Sequence, residues 1–248
     1  MYDNSFFMHI DVQLLPLPPD PVFLSTRAVV VIDVLRATSV IVHALSEGAM
    51  EVIPVTSVEE ALRVAGIHPE GTTLLGGEKN SQRVAHFDLG NSPREYDAGR
   101  VKGKRLVMAT TNGTKAFHSV SSGREIMVGS FFNIEATARR CLQGDSDLLI
   151  FPSGDKGCFS LEDTVCGGMV IDRMLRNGKR GIALSDAAQA ACILYRNLQQ
   201  DVTEAFRLSH HGGELIQLGL GDDLPYCAQV DITEKVPLFR QGVIRIFD

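Results

Sequence analysis

The stretch AVVVIDVLRATS, residues 28–39, decides the fold prediction for this chain. It opens with an uninterrupted apolar run, and its first charged side chain, Asp33, follows that run directly. Uninterrupted apolar strands are typical of parallel sheets that helices cover on both faces. We therefore predict a buried strand over Ala28–Asp33, with a helix after it.

Working outward, short apolar runs alternate with helical segments over most of the chain. The further predicted strands are Glu51–Val55, Thr73–Leu75, Arg105–Ala109, Glu125–Val128 and Asp147–Phe151. The predicted helices are a segment capped by Ser57 with Glu60 completing a capping box, Asn133 through Leu142, Ser160 through Leu175, Ser185–Leu198 and Asp201–Leu208. This order predicts an α/β fold, a three-layer α/β/α arrangement with a mostly parallel or mixed sheet and helices on both faces.

The two ends of the chain are less regular. Met8–Leu14 alternates apolar and polar residues, which favours a half-buried edge strand. A glycine-rich stretch begins at Gly212, and Glu234–Val236 and Val243–Phe247 are candidates for returning strands. Since no convincing linker interrupts the sequence, we treat residues 1–248 as a single compact domain, with 185–248 as a candidate C-terminal subregion.

Composition narrows the class of protein. The 248 residues are 44% hydrophobic and 22% charged, which are ordinary values for a globular protein. With 30 acidic against 24 basic residues and no basic run, nucleic acid is not the expected partner. The five cysteines form no CxxC pair, and the sequence contains neither an apolar run of membrane length nor a basic signal-peptide region. We expect a cytoplasmic protein without a membrane partner.

Three strand-to-helix junctions carry unusual polar content. They are the segment around Asp33, the turn Thr110–Thr114 and the segment Ser160–Thr164, which contains Glu162 and Asp163. Because ligands bind at the carboxyl ends of parallel strands, we expect these three junctions to lie together.

Each junction has a functional and an ordinary interpretation. Asp33 either pairs with a metal ion or Arg36, or caps the helix that follows it. Glu162 and Asp163 either complement the dipole of their helix or join Asp33 in a hard-oxygen site suited to Mg²⁺. Thr110–Thr114 either presents amides to an anion or is an Asn-Gly turn. The residues alone leave these alternatives open.

Other polar clusters are weaker candidates. Glu78 in a glycine-rich loop is a candidate metal ligand, and Arg94 is a candidate for binding an anion, although both also suit surface turns. The pair His210 and His211 lacks the spacing of a metal site, and Asp222-Asp223 is either a solvated loop or a second carboxylate pair. The roles of these four residues stay open.

The chain contains no GxxxxGK[ST] loop, no DxD phosphatase motif and no GxSxG elbow. What it does contain, in order and with credible spacing, resembles the 2-phosphosulfolactate phosphatase family over nearly its whole length. The motifs that carry the resemblance are VVIDVLRAT at 30–38, Gly77-Glu78, GNSP at 90–93, TTNGT at 110–114, SLEDT at 160–164, SHHGG at 209–213 and LGLGDD at 218–223.

The resemblance implies a Mg²⁺-dependent phosphohydrolase that converts 2-phospho-3-sulfolactate to 3-sulfolactate and phosphate, a step of coenzyme M biosynthesis. The attacking group is either metal-bound water or Asp33. The alternatives are a phosphatase of another small 2-phospho acid and a non-catalytic binder of sulfonates or phosphates. The partner is a small polyanionic phosphate ester, and a homodimer stays open.

We predict three sets of site residues. The catalytic set is Asp33, Arg36, Glu162 and Asp163, and the metal set is Asp33, Glu78, Glu162 and Asp163. The substrate-binding set is Thr38, Asn91, Ser92, Arg94, Thr110, Thr111, Asn112, Gly113 and Thr114.

Overall fold

A computed structural model describes residues 7–178 and 181–247. Within these residues eleven strands form one sheet. The strands are β1 (Met8–Val12), β2 (Arg27–Ile32), β3 (Glu51–Val55), β4 (Thr73–Lys79), β5 (Gln82–Arg83), β6 (Arg105–Ala109), β7 (Glu125–Gly129), β8 (Asp147–Pro152), β9 (Ile182–Leu184), β10 (Leu238–Arg240) and β11 (Val243–Arg245).

Helices occupy most of the connections between these strands. They are α1 (Pro21–Ser25), α2 (Ala37–Ser46), α3 (Val58–Ala65), α4 (Ala98–Val101), α5 (Gly113–Ser119), α6 (Ile134–Gln143), α7 (Leu161–Asn177), α8 (Asp186–Leu198), α9 (Thr203–Leu208), α10 (His210–Gln217) and α11 (Asp223–Cys227), with short 3₁₀ turns at Pro93–Glu95 and Phe131–Asn133.

The central strand β2 shows how the layers form. Val29 and Val31 pack on one face against a cluster that includes residues of α2 and α5. Val30 and Ile32 pack on the other face against residues of α6, α7 and α8. Both faces of the strand are therefore buried, as its uninterrupted apolar sequence predicts, and the three-layer α/β/α fold class is confirmed.

The order of the sheet is β5-β4-β6-β3-β11-β10-β7-β2-β8-β1-β9. Strands β4, β6 and β3 form one parallel block, and β7, β2, β8, β1 and β9 form another. The hairpin β10–β11 joins the blocks through three successive antiparallel pairings. The two parallel blocks therefore run in opposite directions along the sheet.

If the sheet were flat, the opposite directions of the two blocks would place the carboxyl ends of their strands at opposite edges of the sheet. Five pairing steps separate β6 from β2. Since neighbouring strands twist by about 20–25°, the rotation accumulates to roughly 100–125° over these steps. We attribute to this twist the proximity of the carboxyl ends of β2, β4, β6 and β8, whose following loops line one cavity.

Several local predictions are wrong in detail. The strand at Met8–Val12 is not an edge strand, because β9 pairs with its free side. The segment Glu234–Val236 forms no strand, and the returning hairpin begins at Leu238 instead. Of the glycine-rich stretch, Gly212 and Gly213 lie inside α10, which Ser209 caps by accepting a hydrogen bond from the Gly212 amide.

The N-termini of the longer helices follow the sequence more closely. The Ser160 hydroxyl accepts a hydrogen bond from the Asp163 amide at 3.2 Å and so starts α7. Asn133, predicted as a cap, makes no capping hydrogen bond to α6. Its side chain instead accepts from the Ser130 amide at 3.0 Å and donates to the Lys235 carbonyl at 2.9 Å, which ties the loop after β7 to the C-terminal segment.

Candidate active site

A narrow cavity lies where the loops after β2, β4, β6 and β8 meet α10. Of the residues predicted from sequence, those that line the cavity are Asp33, Arg36, Glu78, Asn91, Thr110, Thr111 and Asn112. Segments far apart in the sequence therefore contribute to a single wall.

Asp33 projects into this cavity from the end of β2 and is only 7% exposed. Its Oδ1 atom accepts a hydrogen bond from the Ala37 amide at 3.2 Å, so it also supports the start of α2. Burial raises the pKa of the Asp33 carboxyl, while the charge of His211 opposes that shift. A Cβ atom at Gly113 would come within 2.6 Å of Asp33 Oδ2, so the close approach of α5 requires glycine there.

Glu162 and Asp163 lie behind Asp33, and each is 3% exposed. Asp163 Oδ1 accepts a hydrogen bond from the Val34 amide at 2.8 Å. Burial raises the pKa of Asp163 well above its usual value, and the charges of Asp33 and Glu162 raise it further. Burial also raises the pKa of Glu162. Three buried carboxyl groups from two distant junctions thus interact electrostatically in one place.

Glu78 lines the same cavity but links two loops. Its Oε2 atom accepts a hydrogen bond from the Ser81 amide at 2.7 Å. Its Oε1 atom accepts one from the Thr111 amide at 2.6 Å, and the Thr111 hydroxyl donates to Oε2 at 3.1 Å. Both carboxylate oxygens therefore hold the loops after β4 and β6 against each other.

Arg36 is a buried cation in the wall of the cavity, with 3% exposure. One terminal nitrogen donates to Asp223 Oδ2 at 2.7 Å, and the other donates to the Ser81 carbonyl at 2.8 Å. Arg36 Nε and the Asn91 Oδ1 atom are buried and have no hydrogen-bond partner among the described residues. Ordered water or a bound ligand can supply partners for both atoms.

The turn Thr110–Thr114 satisfies much of its own hydrogen bonding. The Thr110 amide donates to the Thr114 hydroxyl at 3.3 Å, and the Thr114 amide donates to the Thr110 hydroxyl at 3.1 Å. The Thr111 amide is taken by Glu78. These groups hold the shape of the cavity wall rather than offer three free donors to an anion.

The remaining predicted residues lie further from the cavity. The Thr38 hydroxyl accepts a hydrogen bond from the Asp33 amide at 3.0 Å and is fully buried. The Ser92 hydroxyl donates to Asp223 Oδ1 at 2.5 Å. Arg94 is exposed and pairs with Asp222 at 3.2 Å, and it is not among the residues that line the cavity.

Sequence reasoning missed a group of residues on the far side of the cavity. Asp155, Lys156 and His211 line it, contributed by the loop after β8 and by α10. Asp155 Oδ2 lies 3.0 Å from His210 Nδ1, and Lys156 forms an ion pair with Glu214. The adjacent histidines were the available signal. Their spacing in sequence gave no reason to select them, because His210 pairs with Asp155, 55 residues earlier, and His211 reaches a cavity whose other lining residues lie far away in the sequence.

Comparison with known proteins settles the family. A model of the 2-phosphosulpholactate phosphatase family matches residues 19–242, a range that includes every predicted site residue. The chain belongs to this family. The resemblance inferred from the sequence motifs is therefore confirmed, and with it the assignment to the phosphoric monoester hydrolases.

Relatives match over most of their length. A protein of Clostridium novyi named probable 2-phosphosulfolactate phosphatase is 43% identical over 216 residues, which are 87% of this chain and 90% of the relative. Proteins with the same name in Caldanaerobacter subterraneus subsp. tengcongensis and Symbiobacterium thermophilum are 38% identical over 222 residues and 37% identical over 225 residues. These matches cover 90% and 91% of this chain, and 91% and 96% of the relatives.

Among the described residues, no helix of this family member combines the length and the apolar character needed to cross a membrane.

Proposed function

We propose that the protein hydrolyses 2-phospho-3-sulfolactate to 3-sulfolactate and phosphate with the help of Mg²⁺. The observation that carries the proposal is the family match over residues 19–242, within which Asp33, Arg36 and Thr110 meet at one cavity. The relatives that share most of this chain are named for the same activity.

The proposed substrate carries a phosphate, a carboxylate and a sulfonate, so its site needs local positive charge. The chain as a whole has a net charge of −6. The cavity is lined by two cationic side chains, Arg36 and Lys156, and by His211, and all three can donate hydrogen bonds to an anion. Asp33, Glu78 and Asp155 line the same cavity, so a bound cation is needed as well to give the site a net positive field.

Among the described residues, the group of three acidic and histidine side chains whose ligand atoms all lie within 4.8 Å of one another is Asp155, His210 and Glu214. The buried carboxyl groups at and behind Asp33 are proposed as the Mg²⁺ ligands on their burial and charge instead.

Asp33, Glu162 and Asp163 are buried, and the pKa of each is raised because the charged form lacks water. A cation nearby would favour the charged form of all three, and carboxylate oxygens are the ligands that Mg²⁺ prefers. Bound to these residues, Mg²⁺ would polarise the phosphoryl oxygens. Glu78, whose oxygens already accept three hydrogen bonds, is assigned to holding the loops.

The roles of the other cavity residues follow from their positions. Asp33 either attacks phosphorus to form an aspartyl phosphate or orients a water molecule that attacks. Arg36 Nε donates to an anionic oxygen of the substrate, and His211 protonates the departing alkoxide. Mass spectrometry after rapid quenching distinguishes the two routes, because only the first adds a phosphoryl group to Asp33.

The deciding experiment measures phosphate release from a panel of esters. The panel contains 2-phospho-3-sulfolactate, phospholactate and phosphoglycolate, each with Mg²⁺ and each with a chelator. We expect the fastest release from the sulfonate ester, and only with Mg²⁺. Preference for an ester without the sulfonate would assign another 2-phospho acid. Phosphate release in the presence of the chelator would show that Mg²⁺ is not required. If no ester releases phosphate, the proposal is overturned.

The biological setting extends the same proposal. Hydrolysis of this ester would serve coenzyme M biosynthesis, in the cytoplasm. Accumulation of 2-phospho-3-sulfolactate in a deletion strain, together with recovery of the protein in the cytosolic fraction, is the expected result. A homodimer stays a prediction, to be tested by light scattering.

A further inference from the structure

The ion pair between Arg36 and Asp223 joins two segments 187 residues apart in the sequence. Its atoms lie 2.7 Å apart, and both side chains are 3% exposed. Taking two charges out of water costs free energy that their attraction does not reliably recover, so such a pair is weak evidence of a stabilising role. Arg36 lines the cavity and Asp223 contacts it from outside the lining, which suggests a role in the site instead.

The hydrogen bonds of Arg36 leave one donor unused. One terminal nitrogen is held by Asp223 and the other by the Ser81 carbonyl. The guanidinium group is planar, so fixing two of its nitrogens fixes the direction of the third. That third nitrogen, Nε, is buried without a partner among the described residues, on a side chain that lines the cavity.

Asp223 is itself fixed from a second direction. Its Oδ1 atom accepts a hydrogen bond from the Ser92 hydroxyl at 2.5 Å, while its Oδ2 atom accepts from Arg36. The neighbouring Asp222 also pairs with an arginine, Arg94, but its side chain is 84% exposed. Two adjacent aspartates therefore have opposite environments.

We propose that Asp223 is a positioning residue for the substrate's anionic groups. It holds the Arg36 guanidinium so that Nε is directed to donate to an oxygen of the phosphate, carboxylate or sulfonate. The choice of ligand rests on the proposed function, while the geometry of Ser92, Asp223 and Arg36 does not. The carboxylate of Asp223 partly neutralises the charge of Arg36, but it also fixes the direction of the Nε donor.

The test compares Asp223→Asn with Asp222→Asn, the same chemical change one residue away. Binding of inorganic phosphate is measured by calorimetry, and KM and kcat are measured with 2-phospho-3-sulfolactate. We expect Asp223→Asn to weaken phosphate binding and raise KM by about 10- to 100-fold, the effect of one misdirected charge-assisted hydrogen bond. A smaller change in kcat is expected, and Asp222→Asn should match the wild type in all three quantities.

A double-mutant cycle separates positioning from simple support of the fold. If Asp223 acts through Arg36, then Asp223→Asn should cost little in an Arg36→Lys background, because the fork that it orients is already absent. Independent, additive losses in phosphate affinity would overturn the proposal. So would wild-type phosphate affinity and KM in Asp223→Asn.

Ser92→Ala covers the case in which Asp223→Asn fails to fold. It removes only the hydroxyl that orients Asp223, and we expect a change in the same direction but smaller. Unchanged phosphate affinity in Ser92→Ala would then overturn the proposal. If wild-type protein hydrolyses the ester while Asp223→Asn is indistinguishable from it, only this inference fails. If the wild type hydrolyses no ester of the panel, the proposed function fails first.

Discussion

Two groups of charged residues each contribute one side chain to the cavity, and their environments differ. The buried group, Asp33 with Glu162 and Asp163 behind it, has carboxyl pKa values raised by burial. The rim group is Lys156, which lines the cavity, and Glu214, and the hydrogen bond between them lowers the pKa of the Glu214 carboxyl. The negative charges of the buried group repel one another and lack water, whereas in the rim group the negative charge of Glu214 is paired with the positive charge of Lys156. Because uncompensated buried carboxyl groups do not stabilise a fold, the buried group is the one whose residues are best explained by ligand binding or catalysis.

The largest expected effect comes from the buried group. Asp33→Asn keeps the shape of the side chain but removes its charge, so we expect kcat to fall by roughly 10³-fold or more. Asp20→Asn, a change at an exposed helix cap far from the cavity, should leave kcat unaltered. Near-normal phosphate release by the Asp33 variant would remove Asp33 from the catalytic group.

His211 lies between the two groups, and its charge lowers the pKa of both Asp33 and Glu162. If its ring protonates the leaving alkoxide, His211→Gln should reduce kcat by about 10²-fold. The matched change at the exposed neighbour, His210→Gln, should have little effect. An ester with an acidic leaving group should restore most of the rate of His211→Gln; loss of rate that is independent of the leaving group would contradict this role.

The buried group also predicts a pH dependence of stability. The pKa of Asp163 in the folded protein lies above its usual value of 3.8, so its contribution is fully present below that value and is lost as pH rises through the raised pKa. In a chelator, the free energy of unfolding should therefore fall as pH rises above about 4, by about 1.4 kcal/mol in total for each unit by which the pKa is raised, and the melting temperature should decline with it. Asp163→Asn should flatten this decline.

Added Mg²⁺ provides the counterpart to that experiment. If the ion binds the buried carboxylates, it should raise the melting temperature of the wild type at neutral pH and do so less in Asp163→Asn. If stability in the chelator depends on pH equally in both proteins, the raised pKa of Asp163 is contradicted. An equal response of both proteins to Mg²⁺ would exclude Asp163 from a cation site.

The smallest effect is expected at the rim. Glu214→Gln removes a partly exposed ion pair with Lys156, and such pairs contribute about 0–1 kcal/mol. Chemical denaturation should show a change within that range. Since Glu214 Oε2 also lies 3.5 Å from His211 Nδ1, we expect kcat to fall, but by much less than in His211→Gln. A loss of activity comparable to that of Asp33→Asn would mean that the rim belongs to the catalytic machinery, and the contrast between the two groups would no longer hold.

The sequence by itself determined the fold class and many of the elements. The strands at Glu51–Val55 and Arg105–Ala109 have the predicted bounds, and Ser57 and Ser160 cap helices as their side-chain chemistry requires. These features depend on residues within a few positions of each other, because apolar periodicity and helix capping act over one or two turns. The same local patterns also selected Asp33 and Glu162, acidic residues that directly follow or open a buried element.

Only the tertiary structure decided how these residues meet. The predicted mostly parallel or mixed sheet is confirmed, but the sequence did not show that its two parallel blocks run in opposite directions with the hairpin β10–β11 between them. His211 lines the cavity beside Asp33, and Asp223 binds Arg36. In both cases the two residues are more than a hundred positions apart in the sequence. Sheet twist and the packing of the C-terminal helices bring them together, and both are properties of the assembled layers rather than of any local sequence pattern.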